Sequence, residues 1–289
     1  MTEAEKDDNG GAVITSRNNP LIRETAKLAD KKYRAASQSF FFEGKKLFEE
    51  ALKAEIGIQC VFVTEKFYEN HKFEFIKDNA LNFRKIIVTD SVYGKISEEK
   101  SPEGVFCVAK YIDIFHKNVK IYNIGKNNTA AANGKIFIVS EVRDAGNLGT
   151  IIRCALAFGV DELILSSDCA DIYSPKTIRA SMGALFKQKI TVCGSLTQAA
   201  SELKLHGHSV YAASLSEKSR NIKDIITAAK ENERDKIVFA VGNEGHGLGE
   251  SFISACSGSV IIPVSNGVES LNVSAAAAIL MWETYGRHE

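Results

Sequence analysis

Six short apolar runs in the second half of the chain limit its fold more than any other feature. Each run is apolar at nearly every position instead of alternating with polar residues, and most segments between the runs have helical periodicity. Strands of this kind are buried on both faces, as in a parallel sheet covered by helices on each side. The runs are Ile136–Val139, Leu163–Leu165, Ile190–Cys193, Val210–Ala213, Ile237–Val241 and Val260–Ile262. The sequence therefore predicts an α/β fold whose ligands bind beyond the carboxyl ends of the strands.

The first half of the chain alternates less regularly between helical and strand-like segments. Helical spacing of apolar residues begins near residue 19 and returns at residues 43–54, and short strand-like runs follow. Those runs are Val61–Thr64, Ile86–Thr89 and Val105–Ala109. Asn, Gly and Lys are then concentrated between Phe115 and Lys135, which is typical of a linker.

A chain of 289 residues is long enough for two domains, and these segments indicate where they end. Hydrophobic residues make up 45% of the chain, which is enough for a core in each domain. We predict a mobile N-terminus at residues 1–13, a small α/β domain at 14–114, a linker at 115–134 and a larger α/β domain at 135–289.

Charge and cysteine usage argue against several classes of protein. Lys plus Arg and Asp plus Glu number 36 each, so any contact with a polyanion must be local. No apolar run reaches the ~18 residues of a membrane span, and the acidic N-terminus is unlike a signal peptide. The six cysteines lack C-x-x-C spacing, which predicts reduced, mostly buried thiols instead of disulfides or a zinc site. We expect a cytoplasmic protein with no membrane or metal partner.

The loop after the first of the six runs reads RDAGNLGTIIR, at residues 143–153. Gly146 and Gly149 permit a tight strand-to-helix turn whose free N–H groups can face a polar ligand. Asn147 and Arg153 follow on the first turns of the helix, and we expect both to face one cleft. A glycine-rich connection with a surface arginine explains this loop equally well.

The loop after Ile237–Val241 reads GNEGHGLG, at residues 242–249. Four glycines in eight residues permit a close approach of ligand to backbone, and Glu244 places one carboxylate among exposed amides. The spacing matches neither the G-x-G-x-x-G pattern of dinucleotide-binding folds nor a phosphate-binding P-loop. His246 is expected to be a solvated loop residue.

The loop after Val260–Ile262 leads into an alanine-rich helix. Ser270 and Asn272 suit a helix N-terminus, where their side chains can accept hydrogen bonds from free N–H groups. The small residues at 275–278 let this helix lie close to another backbone, which fits either knot-like packing or a subunit interface.

Together and in this order, the three loops resemble the signature motifs of the SpoU (TrmH) family of RNA ribose 2′-O-methyltransferases, in the SPOUT superfamily. The resemblance covers roughly residues 134–289. It implies a trefoil-knotted parallel-sheet SPOUT domain, an exception to the rule that chains do not thread through loops. It also implies S-adenosylmethionine as cofactor and a homodimer with the active site near the subunit interface.

The resemblance assigns roles to individual residues. The expected catalytic group is Asn147, Arg153, Glu244, Ser270 and Asn272. Cofactor contacts, largely from backbone, are expected at Ser214, Leu215, Gly242, Asn243, Gly245, Ile262 and Leu271. The chain departs from the family pattern in two places: Ala145 stands where proline is common, and the glycine of the third motif is moved by one place, to Gly267.

The N-terminal region resembles the auxiliary RNA-binding domain of the family, which is similar to ribosomal protein L30e, at residues 14–23 and 42–45. The basic residues expected to contact phosphate are Arg17, Arg23, Lys31, Lys32, Arg34 and Lys45. Interleaved acidic residues leave a solvated helix face as an alternative. Of the three phenylalanines at 40–42, which can stack on bases, we expect at least two to be buried.

The predicted function is methyl transfer from S-adenosylmethionine to a ribose 2′-hydroxyl of structured RNA. Ribosomal RNA is favoured, by analogy with family members that carry an auxiliary domain. A guanidinium resists deprotonation, so we expect Arg153 to stabilise charge instead of acting as a base. The alternatives are methylation of transfer RNA, methylation of a base, and a non-catalytic RNA-binding or ribosome-assembly factor. A nicotinamide-dependent oxidoreductase is disfavoured by the glycine spacing.

Overall fold

The computed structural model describes residues 13–77, 83–112, 134–216, 218–231, 236–265 and 270–286. The predicted mobile N-terminus up to residue 12, the predicted linker up to residue 133 and residues 266–269 of the third motif lie outside the described residues. The chain divides into two compact units. Unit 1 consists of Met1–Ile112 and Tyr173–Phe186, and unit 2 of Asp113–Ile172 and Lys187–Glu289.

Unit 1 contains a four-stranded sheet in the order β1-β4-β2-β3. Its strands are β1 (Ser39–Glu43), β2 (Ile58–Thr64), β3 (Arg84–Val88) and β4 (Val105–Lys110). Strand β4 is antiparallel to both of its neighbours, while β2 and β3 are parallel. The helices are α1 (Pro20–Ala26), α2 (Lys31–Ser37), α3 (Lys45–Lys53), α4 (Glu65–Lys77) and α5 (Asp90–Ile96). The three predicted strands are found as β2, β3 and β4, and β1 is an additional one.

Strand β1 explains why the three consecutive phenylalanines cannot stack on bases. Phe40, Phe41 and Phe42 are each at most 1% exposed, which confirms that at least two of them are buried. Phe41 stacks on Phe106 of β4, with ring centroids 4.7 Å apart. Both faces of this strand are therefore covered.

The other face of β1 is covered by a segment from the second half of the chain. Tyr173 stacks on Tyr111, and its hydroxyl accepts a hydrogen bond from the Ile112 N–H at 2.9 Å. Helix α7 (Pro175–Ser181), which comes after α6 (Ala145–Ala157) of unit 2 in the chain, lies in this segment. It precedes a 3-10 turn whose Phe186 ring lies 5.1 Å from that of Phe42. The predicted division, with residues 135–289 in one domain, did not anticipate this segment.

Unit 2 contains a seven-stranded sheet in the order β7-β6-β5-β10-β8-β11-β9, and every pairing in it is parallel. Its strands are β5 (Ile136–Val139), β6 (Glu162–Ser166), β7 (Ile190–Cys193), β8 (Ser209–Ala213), β9 (Arg220–Asn221), β10 (Ile237–Val241) and β11 (Gly258–Ile261). The helices are α6 (Ala145–Ala157), α8 (Leu196–Leu205), α9 (Ile222–Glu231), α10 (Glu250–Ala255) and α11 (Val273–Tyr285). All six predicted runs are strands, so the predicted parallel α/β fold is confirmed, while the trefoil knot stays a prediction.

Helix α11 is anchored at its C-terminal end beneath the centre of the sheet. The buried Tyr285 hydroxyl lies 2.7 Å from the carbonyl oxygens of both Ile136 and Ile237, at the amino ends of β5 and β10. Burial raises the pKa of this phenol. The anchor places the opposite end of α11, with Asn272, toward the carboxyl ends of the same strands.

All six cysteines are free thiols. Burial raises the pKa of Cys60, Cys193 and Cys256 to about 11, and raises those of the other three as well. These thiols are therefore protonated at neutral pH and are poor nucleophiles and metal ligands. In the described part of the chain, no three His, Cys, Asp or Glu residues are grouped as metal ligands. No helix among the described residues has the length and apolar character needed to cross a membrane.

Candidate active site

The three motif loops follow strands that lie close together in the sheet of unit 2. The first follows β5, the second follows the adjacent strand β10, and the third follows β11, which is separated from β10 only by β8. Because all these strands are parallel, their carboxyl ends share one edge of the sheet, where ligands bind in folds of this type.

The first motif begins helix α6 earlier than the sequence pattern indicated. Asp144 is the N-cap, and its Oδ1 accepts a hydrogen bond from the Asn147 N–H at 2.9 Å. Gly146 and Gly149 lie within the helix, not in a turn before it, which corrects the predicted role of both glycines. The capped first turn holds the Asn147 side chain at the carboxyl edge of the sheet.

One residue from each motif joins a single hydrogen-bonded group. Asn147 Nδ2 donates to Glu244 Oε1 at 2.6 Å, and Asn272 Nδ2 donates to Asn147 Oδ1 at 3.2 Å. The side-chain oxygen of Asn272, Oδ1, accepts hydrogen bonds from the N–H and the hydroxyl of Ser274, at 2.9 and 2.6 Å, and so caps α11. Asn272 thus has both roles that the sequence suggested, as a helix cap and as a member of the polar group.

Arg153 and Ser270 do not join this group. Arg153 lies six positions after Asn147 on α6, which places the two side chains ~120° apart around the helix and ~9 Å apart along it. Arg153 and Ser270 are exposed, and neither side chain makes a hydrogen bond within the described residues. The expectation that Arg153 and Asn147 face one cleft is therefore not supported within a single chain.

The second motif forms a tight turn whose shape depends on glycine. The N–H groups of Asn243 and Gly247 each donate to the carbonyl of the other at 3.0 Å, and Asn243 Oδ1 accepts from the Gly245 N–H at 2.8 Å. A Cβ on Gly242 would lie 2.5 Å from the carbonyl carbon and oxygen of Gly247. Only glycine fits at this position, and the turn leaves Glu244 exposed beside α6.

The remaining expected cofactor residues lie beyond β8, β10 and β11. The Ser214 hydroxyl is buried and has no hydrogen-bond partner in the described part of the chain. The backbone carbonyl of Ser214 accepts a hydrogen bond from the Ser219 hydroxyl at 2.7 Å, which closes the loop after β8. Ile262 and Leu271 are half-buried, whereas Leu215 is exposed. A buried hydroxyl without a partner suits a ligand that offers a hydrogen-bonding group.

Three residues of this region were missed from the sequence. Asp144 and Ser274 follow ordinary capping chemistry, so an Asp immediately before the helix was a usable signal. Glu141 has no such signal. It adopts a left-handed backbone conformation, with φ 52°, and its carboxylate lies 3.3 Å from both Arg143 Nη2 and His246 Nε2. His246 is otherwise exposed, as expected.

The predicted RNA contacts in unit 1 fall into two groups. Arg17, Arg23, Lys31 and Lys32 are exposed. Arg34 is only 3% exposed, and its Nη1 donates to the carbonyls of Leu28 and Ala29, both at 2.7 Å. Its guanidinium therefore supports the chain before α2 and is not available to phosphate, which corrects the expected RNA contact. Lys45 is partly exposed, and its Nζ lies 3.9 Å from Glu49.

The chain is similar to known proteins over nearly its whole length. It is 27% identical to the 23S rRNA (guanosine(2553)-2′-O)-methyltransferase RlmP of Bacillus subtilis, over 94% of this chain and 99% of that one. Human mitochondrial rRNA methyltransferase 3 is 25% identical, over 87% of this chain and 68% of its own length. The solved structure of an AdoMet-bound rRNA methyltransferase from Sinorhizobium meliloti has a TM-score of 0.77, at 26% identity over 94% of this chain and 96% of that one.

Two family models also match. Residues 19–107 match the MRM3-like substrate binding domain. Residues 134–282 match the SpoU rRNA Methylase family, and since this match spans more than half of the 289 residues, the chain belongs to that family.

Proposed function

We propose that the protein transfers a methyl group from S-adenosylmethionine to a ribose 2′-hydroxyl of ribosomal RNA. The observation that carries the proposal is the hydrogen-bonded group of Asn147, Glu244 and Asn272, which draws one residue from each motif loop to the carboxyl edge of the sheet. The names of the relatives support ribosomal RNA over transfer RNA, and that of RlmP supports the ribose 2′-hydroxyl over a base.

The cofactor would lie against the loops after β8, β10 and β11. The unpartnered Ser214 hydroxyl fits the polar part of such a ligand, and the half-buried Ile262 and Leu271 fit its apolar part. The expected contacts are Ser214, Leu215, Gly242, Asn243, Gly245, Ile262 and Leu271. When bound, S-adenosylmethionine supplies an electrophilic methyl group.

The chain must then position a ribose and stabilise charge on its oxygen. Asn147, Glu244 and Asn272 shape the pocket, with Ser270 at its edge. Arg153 stays cationic and stabilises negative charge that develops at the ribose O2′, while the hydroxyl proton passes to water or to a neighbouring phosphate. The exposed cations Arg17, Arg23, Lys31 and Lys32 of unit 1 are the proposed phosphate contacts.

We further propose that the working enzyme is a homodimer. In one chain Arg153 faces solvent, away from the group around Asn147, so a second chain is a natural source of its missing surroundings. The same helix and α11 expose three apolar side chains, Leu156, Ile279 and Trp282. Exposed apolar residues of this size on two packed helices are typical of an interface between subunits.

Calorimetric titration with S-adenosylmethionine, followed by methylation of ribosomal RNA, tests the proposal. We expect saturable binding, and mass spectrometry of the digested RNA should place the methyl group on a ribose. Arg153→Ala should slow transfer about 100-fold or more with binding of the cofactor retained, because it removes stabilisation of the developing charge. Arg153→Lys retains a charge and should recover only part of the rate if both guanidinium arms make contact.

Lys223→Ala, at an exposed cation of α9, is the matched control and should leave the rate unchanged. A folded protein that does not bind S-adenosylmethionine, or that methylates a base, would contradict the proposed function.

A further inference from the structure

Glu141 occupies a backbone conformation that few residues with a long side chain adopt. It lies two residues after the end of β5, and its φ of 52° lies in the left-handed region. A residue other than glycine carries a conformational cost there, and such residues persist where surrounding contacts hold them. The contacts of Glu141 therefore indicate which neighbouring residues hold it in this conformation.

Both backbone polar groups of Glu141 are hydrogen-bonded to neighbouring segments, one to the end of a strand and one to a loop. Its N–H donates to the Ser166 hydroxyl at 2.9 Å, at the carboxyl end of β6. Its carbonyl accepts from Asn243 Nδ2 at 3.0 Å. Asn243 immediately precedes Glu244, so this second bond joins the end of β5 to the second motif loop.

The Glu141 carboxylate makes a further link between the same two loops. Its Oε2 lies 3.3 Å from Arg143 Nη2, in the first motif loop, and 3.3 Å from His246 Nε2, in the second. Arg143 and His246 are more than half exposed, so each contact contributes little to stability. Both contacts nevertheless restrict where the two loops can lie relative to each other.

These bonds close a ring around the candidate site. The chain runs from Glu141 to Asn147, whose amide donates to Glu244; Asn243, next to Glu244, donates back to Glu141. The Glu141 carboxylate adds a second connection between the same loops, through Arg143 and His246. Without the carboxylate, Glu141 would be joined to the second motif loop by the Asn243 bond alone. The geometry points to Glu141 as a positioning residue for methyl transfer, which holds the Asn147 and Glu244 loops at a fixed separation without touching substrate.

This inference rests on the proposed function, and its first test separates the carboxylate from the backbone. Glu141→Gly keeps the left-handed conformation and both backbone bonds, and removes the carboxylate. We expect kcat to fall ~10-fold, because the reaction is slower when the loops that carry Asn147 and Glu244 are no longer held in position. KM for RNA should stay within about 2-fold, since no RNA contact is lost. Glu141→Gln retains an oxygen acceptor and should recover at least half of the lost kcat.

Glu55→Gly is the matched control. Glu55 is also a left-handed glutamate, with φ 53°, but it is exposed and lies in unit 1. The same chemical change there should leave kcat and KM unaltered. A wild-type kcat in Glu141→Gly, or an equal loss in Glu141→Gly and Glu141→Gln, would overturn the inference.

Hydrogen exchange provides a readout that does not need activity. The N–H groups of Gly245, Gly247 and Asn147 are hydrogen-bonded within the two loops and report on their order. Glu141→Gly should accelerate exchange in residues 143–149 and 242–249 and leave β5 and β10 unchanged. Unchanged exchange in these loops, or acceleration throughout unit 2, would show that Glu141 does not position them. If the wild-type protein does not bind S-adenosylmethionine, the proposed function fails, while this measurement still decides whether Glu141 joins the loops.

Discussion

Asn147 is the residue at which the site depends on a neutral side chain. Its amide donates to Glu244 and accepts from Asn272, so replacement by a carboxylic acid would set two carboxylates against each other. For Asn147→Asp we expect methyl transfer to fall at least ~10-fold at about pH 8. The facing Glu244 carboxylate raises the pKa of the introduced group, so its protonated, donating form appears as the pH falls. The rate relative to wild type should therefore rise toward about pH 5.

Single-turnover rates across this pH range check the prediction. Asn147→Ala has no ionisable group at this position and should show no recovery at acid pH. If both variants follow the same pH profile, the direct contact between residues 147 and 244 is not what holds the site together.

Single residues also show the limits of prediction from the sequence. Asn147, Glu244 and Asn272 were predicted from the resemblance of their loops to the family motifs, and their contact agrees with the rule that loops after parallel strands share one edge of the sheet. The buried position of Arg34 was not predictable. The sequence pattern around a basic helix residue is the same whether its side chain contacts phosphate or donates to backbone carbonyls inside the protein. The conformation of Glu141 was not predictable either, because a positive φ in a residue other than glycine is imposed by tertiary contacts.

At the scale of elements, the strands of unit 2 were predictable and the segment Tyr173–Phe186 was not. Continuous apolar runs identify strands buried on both faces, whichever elements cover them. The segment that covers β1 has ordinary apolar spacing, and nothing in that spacing specifies the unit in which it is buried. Short strands such as β9, with only two residues, carry too little pattern to be recognised.

Phe186 tests whether this segment is part of the core of unit 1. Its ring is 4% exposed and lies 5.1 Å from Phe42. Phe186→Ala should destabilise unit 1 by about 3–5 kcal/mol, the usual cost of removing a buried aromatic ring. In native-state hydrogen exchange, β1 and β4 should lose more protection than β5 and β10.

Phe137→Ala, at a fully buried position of β5 in unit 2, is the matched control and should give the reverse pattern. Equal loss of protection in both units after either substitution would mean that the chain unfolds as one cooperative body.

At the scale of the whole molecule, a chain with no net charge has to bind a polyanion. Lys plus Arg balance Asp plus Glu at 36 each, so attraction of RNA must come from the local arrangement of charge and not from the net charge. The exposed cations near α1 and α2 in unit 1 and Arg153 in unit 2 are candidates for this arrangement. A homodimer would double these cations, and it would give Arg153 a protein environment that one chain lacks.

Replacement of the exposed apolar residues of α6 and α11 tests that assembly. Trp282 is 45% exposed, and its ring lies 5.7 Å from that of Phe158, so the two form a preorganised aromatic surface. Trp282→Lys would place a charge in the centre of the proposed interface, where desolvation opposes association. Sedimentation should show a dimer for the wild type and a monomer for this variant, with methyl transfer lost and the monomer still folded. Leu205→Lys, at an 80% exposed leucine of α8, is the control and should remain a fully active dimer. An active wild-type monomer would remove the argument that Arg153 needs a second chain.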